Sequence, residues 1–86
     1  MRTIYADFNG LSELTDLQRR IMEVVSKWAH QEKTPISLVE IKTKMKEQKI
    51  GNPTTINAIN GLLRKGYLRR ACIISNKSYF VMLRSI

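Results

Sequence analysis

The chain has 86 residues, a net charge of +8 and a hydrophobic content of 43%. These totals fit one small domain and exclude a second independent core. No apolar run approaches the roughly 20 residues that cross a bilayer. The first ten residues carry Asp7 and lack an apolar signal core, so we expect no secretion. The single cysteine, Cys72, excludes an internal disulfide, and a cytoplasmic location is the simplest expectation.

The charge is divided unevenly along the chain. Residues 1–40 have five basic and six acidic side chains, whereas residues 41–86 have ten basic side chains and a single acidic one, Glu47. A protein face with such an excess of positive charge attracts polyanions. The alternative is a solvated basic surface that serves only solubility.

Residues 1–13 are treated as a separate N-terminal arm. Ile4, Ala6 and Phe8 alternate with other residues, which allows a short strand, and Asn9-Gly10 marks a turn. Such an arm packs either on its own domain or on a second subunit, and the sequence leaves both open.

A first helix is predicted to begin at Thr15, because Thr15-Asp16-Leu17-Gln18 matches a capping box. It should end near residues 31–33, before Pro35. Met22 is expected to point away from the core, as an exposed residue or as part of a subunit contact. The stripe expected to face the core comprises Leu14, Leu17, Ile21, Val24, Val25 and Trp28.

A second capping box, Ser37-Leu38-Val39-Glu40, predicts a second helix, and Ile36 with Ile41 fits a hydrophobic staple. Its buried line should be Leu38, Ile41 and Met45. The lysines of this helix and of the turn after it are candidates for phosphate contacts: Lys42, Lys44, Lys46 and Lys49. Alternatively, their stems cover the edge of the core.

Asn52 as N-cap and Pro53 at the first helical position predict a third helix, which should stop at Gly66. Asn60 is expected near its buried side. The predicted inward stripe is Ile56, Ile59 and Leu63, with Leu62 at its edge. The outward candidates for contacts with base edges are Thr54, Thr55, Asn57, Ala58, Gly61 and Arg64.

Residues 67–74 and 78–83 are two β-prone runs around the polar turn Ser75-Asn76-Lys77-Ser78, which predicts a β-hairpin. Simple alternation places Leu68, Cys72 and Ile74 on one face. Both faces are apolar, so one of them needs cover from the N-terminal arm or a second subunit. The remaining candidates for phosphate contacts are Ser37, Asn52, Lys65, Arg69, Arg70, Asn76 and Lys77.

Signals for catalysis or ligand binding are missing from the sequence. It has no nucleophile–base pattern, no phosphate-cradling glycine loop, and no Cys/His cluster around His30 with metal-ligand spacing. We therefore expect no enzyme, no cofactor and no metal, and no small-molecule ligand is evident.

The order of these elements resembles a winged helix-turn-helix. Residues 14–19, 34–37, 40–41 and 64–68 (LTDLQR, TPIS, EI and RKGYL) are similar to the DNA-binding domain of LexA-type repressors, and MarR-type repressors share much of this pattern. The resemblance covers residues 14–86. It implies a mainly helical α+β domain in which three helices precede a β-hairpin wing, with a possible short N-terminal strand in addition.

The function expected from these observations is sequence-specific binding of double-stranded DNA by a homodimeric transcriptional repressor or regulator, located at the nucleoid. The third helix would enter the major groove, and the wing would contact the backbone or minor groove. The alternatives are a protein-interaction module that acts on transcription or replication machinery, and a structure-selective binder of RNA or DNA.

Overall fold

A computed structural model of the chain describes residues 14–84. These residues form a small, mainly helical α+β fold with three helices and a three-stranded antiparallel sheet. The three helices and the hairpin are as the sequence predicts, whereas the third strand is an addition. The predicted N-terminal arm, residues 1–13, lies outside the described residues. In chain order the elements are α1 (Asp16–Glu32), β1 (Ile36–Ser37), α2 (Leu38–Glu47), α3 (Asn52–Arg64), β2 (Leu68–Ile74) and β3 (Lys77–Met82).

Helix α1 begins where the capping box predicts. The Gln18 N–H donates to Thr15 Oγ1 at 3.0 Å, and the Thr15 N–H donates to Gln18 Oε1 at 3.1 Å. These two bonds satisfy backbone donors that a helix start otherwise leaves open. The helix ends at Glu32, followed by Lys33 in the left-handed region with φ 59°.

The buried line of α1 lies beside the predicted stripe. Gln18, Ile21, Met22 and Val25 are its buried side chains, and their spacing is that of one helix face. The prediction that Met22 points away from the core was wrong, because this side chain is 0% exposed. Helix α1 contacts α2, α3 and the sheet, so its buried face is wider than one stripe. Four residues of the predicted stripe are only half-buried at the edge of this face: Leu14, Leu17, Val24 and Trp28.

Strand β3 is the centre of the sheet, which has the order β1-β3-β2. Phe80 lies at its middle, 2% exposed, with Ile36 of β1 as its antiparallel partner. On the other side Leu68 of β2 pairs with Met82. The two-residue strand β1 was not predicted, because a segment this short has no periodicity to detect. It places Ser37 directly at the start of α2.

The hairpin turn is tighter than predicted. Only Ser75 and Asn76 form it, both with positive φ (51° and 63°), while Lys77 and Ser78 already belong to β3. Two central residues with positive φ define a type I′ turn, whose twist matches that of the flanking strands. The two strands therefore stay paired as far as the residues next to the turn, Ile74 and Lys77.

A β-bulge at Ala71 changes which residues of β2 share a face. Arg70 pairs with Phe80 and Cys72 pairs with Tyr79, so Ala71 has no partner of its own. One extra residue shifts the alternation of side chains. The predicted grouping of Leu68 with Cys72 and Ile74 was therefore wrong.

Replacing Met22 with Ala tests the corrected position of this side chain. A fully buried Met→Ala change removes apolar contacts and leaves a cavity, so we expect a loss of about 2–5 kcal/mol in the free energy of unfolding. The measurement is a urea denaturation curve with a shared m value. Val39→Ala is the control, since Val39 is 48% exposed on α2 and its loss should cost less than about 0.5 kcal/mol. Equal effects of the two changes would contradict the assignment of Met22 to the core.

Candidate nucleic-acid interface

Helix α3 is presented by two well-defined ends. Gly51 is its N-cap, in extended conformation and without a side-chain hydrogen bond, so the predicted N-cap, Asn52, is instead the first helical residue. Asn52 is half-buried, and its Oδ1 atom is buried without a hydrogen-bond partner. This geometry does not support the prediction that Asn52 contacts phosphate.

The C-terminal end of α3 follows the predicted stop. Gly66 has φ 79°, its N–H donates to Leu63 O at 3.2 Å, and the Tyr67 N–H donates to Leu62 O at 3.0 Å. This pair of bonds is a Schellman motif, which satisfies the last helical carbonyls. Leu62 and Tyr67 are both buried, so the motif also fixes the helix end to the core.

A second Schellman motif forms the turn between α2 and α3. The Lys49 N–H donates to Lys46 O at 2.8 Å, and the Ile50 N–H donates to Met45 O at 3.1 Å. Lys49 occupies the left-handed position with φ 64°, where glycine is usual. A lysine here costs backbone energy and places a cation on the exposed turn that leads into α3. Strained non-glycine residues of this kind cluster at functional sites.

The buried face of α3 includes three of the predicted base contacts. Thr55, Ala58 and Gly61 are buried, so their assignment to the outward face was wrong. Thr55 is 0% exposed and its Oγ1 has no hydrogen-bond partner. Ile59 and Leu62 complete this face. The small side chains face inward because α3 packs closely on α1.

The contact between α3 and α1 centres on Gln18. Its Oε1 accepts a hydrogen bond from Lys65 Nζ at 2.9 Å in addition to the capping bond from Thr15. A Cβ atom at Gly61 would collide with the Nε2 atom of the same side chain. A larger residue at position 61 would therefore have to displace the Gln18 amide, and Lys65, a predicted phosphate contact, uses one of its donors inside the protein.

The exposed face of α3 is polar. Asn57, Asn60 and Arg64 are exposed, and their spacing of three and four residues puts them on one side of the helix. We call these three residues the α3 outer row. The prediction that Asn60 lies near the buried side was wrong. Thr54 is exposed at the flank of the row, and Ile56, predicted to face inward, is 37% exposed.

Exposed lysines precede this row. Lys44, Lys46 and Lys49 are exposed on α2 and its turn, whereas Lys42 is half-buried. Ser37 Oγ accepts a hydrogen bond from the Glu40 N–H at 3.1 Å, which confirms the predicted N-cap of α2. That hydroxyl therefore serves the helix start rather than a free contact.

The hairpin carries a second group of cations. Arg69 and Arg70 are exposed, and the Arg70 guanidinium lies over the Phe80 ring with its carbon 5.6 Å from the ring centroid. Such a cation–π contact holds the arginine in place on the sheet. Asn76 and Lys77 are exposed at the hairpin end. All four predicted hairpin contacts are therefore accessible to a ligand.

The described residues contain no group of three or more His, Cys, Asp or Glu side chains able to hold a metal ion. Among the helices of residues 14–84, each is too short or too polar to cross a membrane.

Comparisons of the chain with protein-family models, with curated protein sequences and with solved structures found no match. The resemblance to winged helix-turn-helix repressors therefore depends on the quoted residues and on the order of the elements.

The Gln18–Gly61 contact is testable by a double-mutant cycle. Gly→Ala inside a helix normally stabilises by about 1 kcal/mol, but here the new methyl group displaces an amide that accepts two hydrogen bonds, each contributing about 1 kcal/mol. We expect Gly61→Ala to be at least about 1 kcal/mol more favourable in a Gln18→Ala background than in the native chain. Free energies from urea denaturation of the four proteins provide the measurement. Additive effects would show that the two residues do not meet.

Proposed function

We propose that the protein binds double-stranded DNA sequence-specifically and acts as a transcriptional repressor or regulator, with α3 in the major groove. The observation that carries this proposal is the α3 outer row, a line of two amides and one guanidinium on the exposed side of a helix whose opposite side is fixed in the core. The exposed side of an ordinary helix carries both acidic and basic side chains. Helix α3 lies within residues 48–86, which contain no Asp or Glu.

The side chains of the outer row suit base edges. An Asn amide both donates to and accepts from the N6 and N7 atoms of adenine, and Arg donates two hydrogen bonds to O6 and N7 of guanine. The major groove is about 12 Å wide and admits an α-helix. Asn57 and Asn60 are adjacent on this face, so they suit neighbouring base pairs, and Thr54 can offer its methyl group to thymine.

Rigid presentation supports specific contacts, because a loosely held side chain loses the geometry that discriminates between bases. The C-terminal end of α3 is held by the Schellman motif, and Pro53 restricts the backbone of its first turn. Gln18 accepts a hydrogen bond from Lys65 at the end of the helix, on the side opposite the outer row. These contacts support a defined position for the outer row.

The exposed lysines and arginines supply the sequence-independent part of the binding. In helix-turn-helix proteins the helix before the recognition helix crosses the DNA backbone, which is the position of Lys44 and Lys46. The turn adds Lys49, and the hairpin adds Arg69 and Lys77. Contacts to phosphates position the protein and make affinity fall steeply with salt.

A single module of this size contacts few base pairs, so we propose that two copies bind together. A homodimer on a two-fold symmetric site doubles the number of base contacts without a larger domain. We also propose that the protein is located in the cytoplasm and associates with the nucleoid.

Substitutions in the outer row should separate specific from non-specific binding. We expect Asn60→Ala to weaken binding to the preferred duplex by about 1–3 kcal/mol and to leave binding to random duplex nearly unchanged. Thr55→Val is the matched control, because Thr55 is buried and the change removes only an unpaired hydroxyl. Fluorescence anisotropy with both duplexes, and with single-stranded DNA and RNA as competitors, provides the measurement. Equal losses on both duplexes, or a stronger effect of Thr55→Val, would refute the assignment.

Lys46→Ala should behave in the opposite way. Loss of one phosphate contact is expected to weaken binding to both duplexes alike and to lower the slope of log affinity against log salt by roughly 0.9. Glu47→Gln, the neighbouring exposed position, is the control that changes charge in the other sense and should not lower the slope. An effect of Lys46→Ala confined to the preferred duplex would contradict the proposed phosphate role.

A further inference from the structure

The end of the hairpin is apolar where solvent-exposed strands are usually polar. Ile73 and Ile74 are 64% and 56% exposed, the two highest values among the large hydrophobic side chains of the described residues. Removing apolar side chains of this size from water is favourable. Two adjacent isoleucines left in water at the end of a ribbon are therefore a candidate contact surface.

These isoleucines lie on opposite faces of the ribbon. Ile73 pairs with Ser78 and Ile74 pairs with Lys77, and successive residues of a strand point to opposite sides. We call Ile73 and Ile74 the hairpin tip. Because it is apolar on both sides, the tip does not suit a flat partner, which covers one face of a sheet. It suits a cleft with two walls.

The shape of the hairpin favours insertion. Beyond the Arg70–Phe80 pair, residues 71–74 extend the ribbon by roughly 10–13 Å at a rise of about 3.3 Å per residue, and residues 72–77 are all exposed. The type I′ turn at Ser75-Asn76 keeps the two strands paired to the end. The tip is thus a narrow, ordered projection.

The charge around the tip identifies the chemistry of the partner. Arg69 and Arg70 stand at the base of the ribbon and Lys77 stands beside Ile74, while the nearest acidic residue along the chain is Glu47. A second copy of the hairpin would bring the same positive charge and be repelled. A polyanion with an apolar interior fits both properties, and stacked bases between two phosphate backbones have that composition.

We propose, on the basis of the duplex binding proposed above, that the hairpin tip is an apolar wedge that enters the minor groove beside the α3 site, partly unstacks one base step and bends the duplex. Isoleucine is among the side chains that insert between base steps from the minor groove, and such insertion kinks DNA towards the major groove by about 20–90°. Arg69 and Lys77 neutralise the phosphates that the bend brings closer to the ribbon. Specificity then includes the deformability of a base step that α3 does not contact.

The test compares the native protein with the double variant Ile73→Thr/Ile74→Thr. Threonine keeps the β-branched shape and strand preference, so the hairpin should remain folded, which circular dichroism and the urea midpoint check. The probe is a duplex of about 30 base pairs, long enough to show a bend, that carries the sequence enriched by the protein from a random pool. Energy transfer between dyes at its two ends reports the bend angle, and Val39→Thr, at an exposed apolar position on α2, is the matched control.

We expect the native protein and Val39→Thr to bend the duplex by about 20–90°, and the double variant to give less than half of that angle. Affinity of the double variant should fall about tenfold, corresponding to about 1.4 kcal/mol. The slope of log affinity against log salt should also fall, because a straighter duplex no longer brings its phosphates to Arg69 and Lys77. A straight duplex in the native complex, or an unchanged bend with the double variant, would overturn the wedge while leaving duplex binding intact. Absence of any duplex binding by the native protein would instead refute the proposed function, and the wedge with it.

Two further measurements exclude other partners of the tip. Sedimentation of the native and double-variant proteins reports self-association, and flotation with phosphatidylglycerol vesicles reports membrane binding. Loss of either property in the double variant, together with an unchanged bend angle, assigns the tip to a second copy or to a lipid surface and overturns the wedge. Identical behaviour of both proteins in these two assays supports it.

Discussion

The hydrogen bonds of Gln18 connect the start of α1 to the end of α3. Its Oε1 accepts from the backbone N–H of Thr15, the N-cap of α1, and from Nζ of Lys65, the C-cap of α3. The same amide lies so close to Gly61 that any larger residue there must displace it. Together with the core side chains Ile59 and Leu62, this buried polar side chain fixes how α3 lies on α1, and the side of α3 that faces solvent follows from that packing.

The two halves of the chain differ in charge and in structure. Helix α1 and β1 form a scaffold with little net charge, and the basic remainder contains α3, the turn with Lys49 that precedes it, and the hairpin. Within residues 14–84, four non-glycine residues have positive φ, and three of them lie in the basic remainder of the chain: Lys49 in the turn before α3, and Ser75 and Asn76 at the end of the hairpin. The fourth is Lys33, at the end of α1.

Much of the fold could be predicted because its boundaries are set by local chemistry. The caps at Thr15 and Ser37 and the stop at Gly66 depend on hydrogen bonds within a few residues, and such patterns are visible in a sequence. In α3 the inward prediction holds for Ile59 and Leu63, which pack on the core, and fails for Ile56, which is exposed. The helix approaches α1 closely at Gly61, a position that had been assigned to the outward face because it is small. The alternative set of positions 55, 58, 59 and 62 has helical spacing and places Asn57, Asn60 and Arg64 on the opposite side, which was the available signal. The bulge at Ala71 and the pairing of β1 with β3 depend on tertiary contacts, so no local pattern indicates them.

The central claim is that a polar row on α3, fixed from behind by Gln18, determines which DNA the protein prefers. Selection from a pool of random duplexes at about 150 mM salt, where exposed charges are largely screened beyond about 8 Å, tests it most directly, with the native chain and Asn57→Ala/Asn60→Ala selected in parallel. The account predicts that the native chain enriches one motif, two-fold symmetric if two copies bind, and that the variant loses adenine preference at defined positions of that motif. Enrichment of no motif by the native chain, or of the same motif by both proteins, would contradict it.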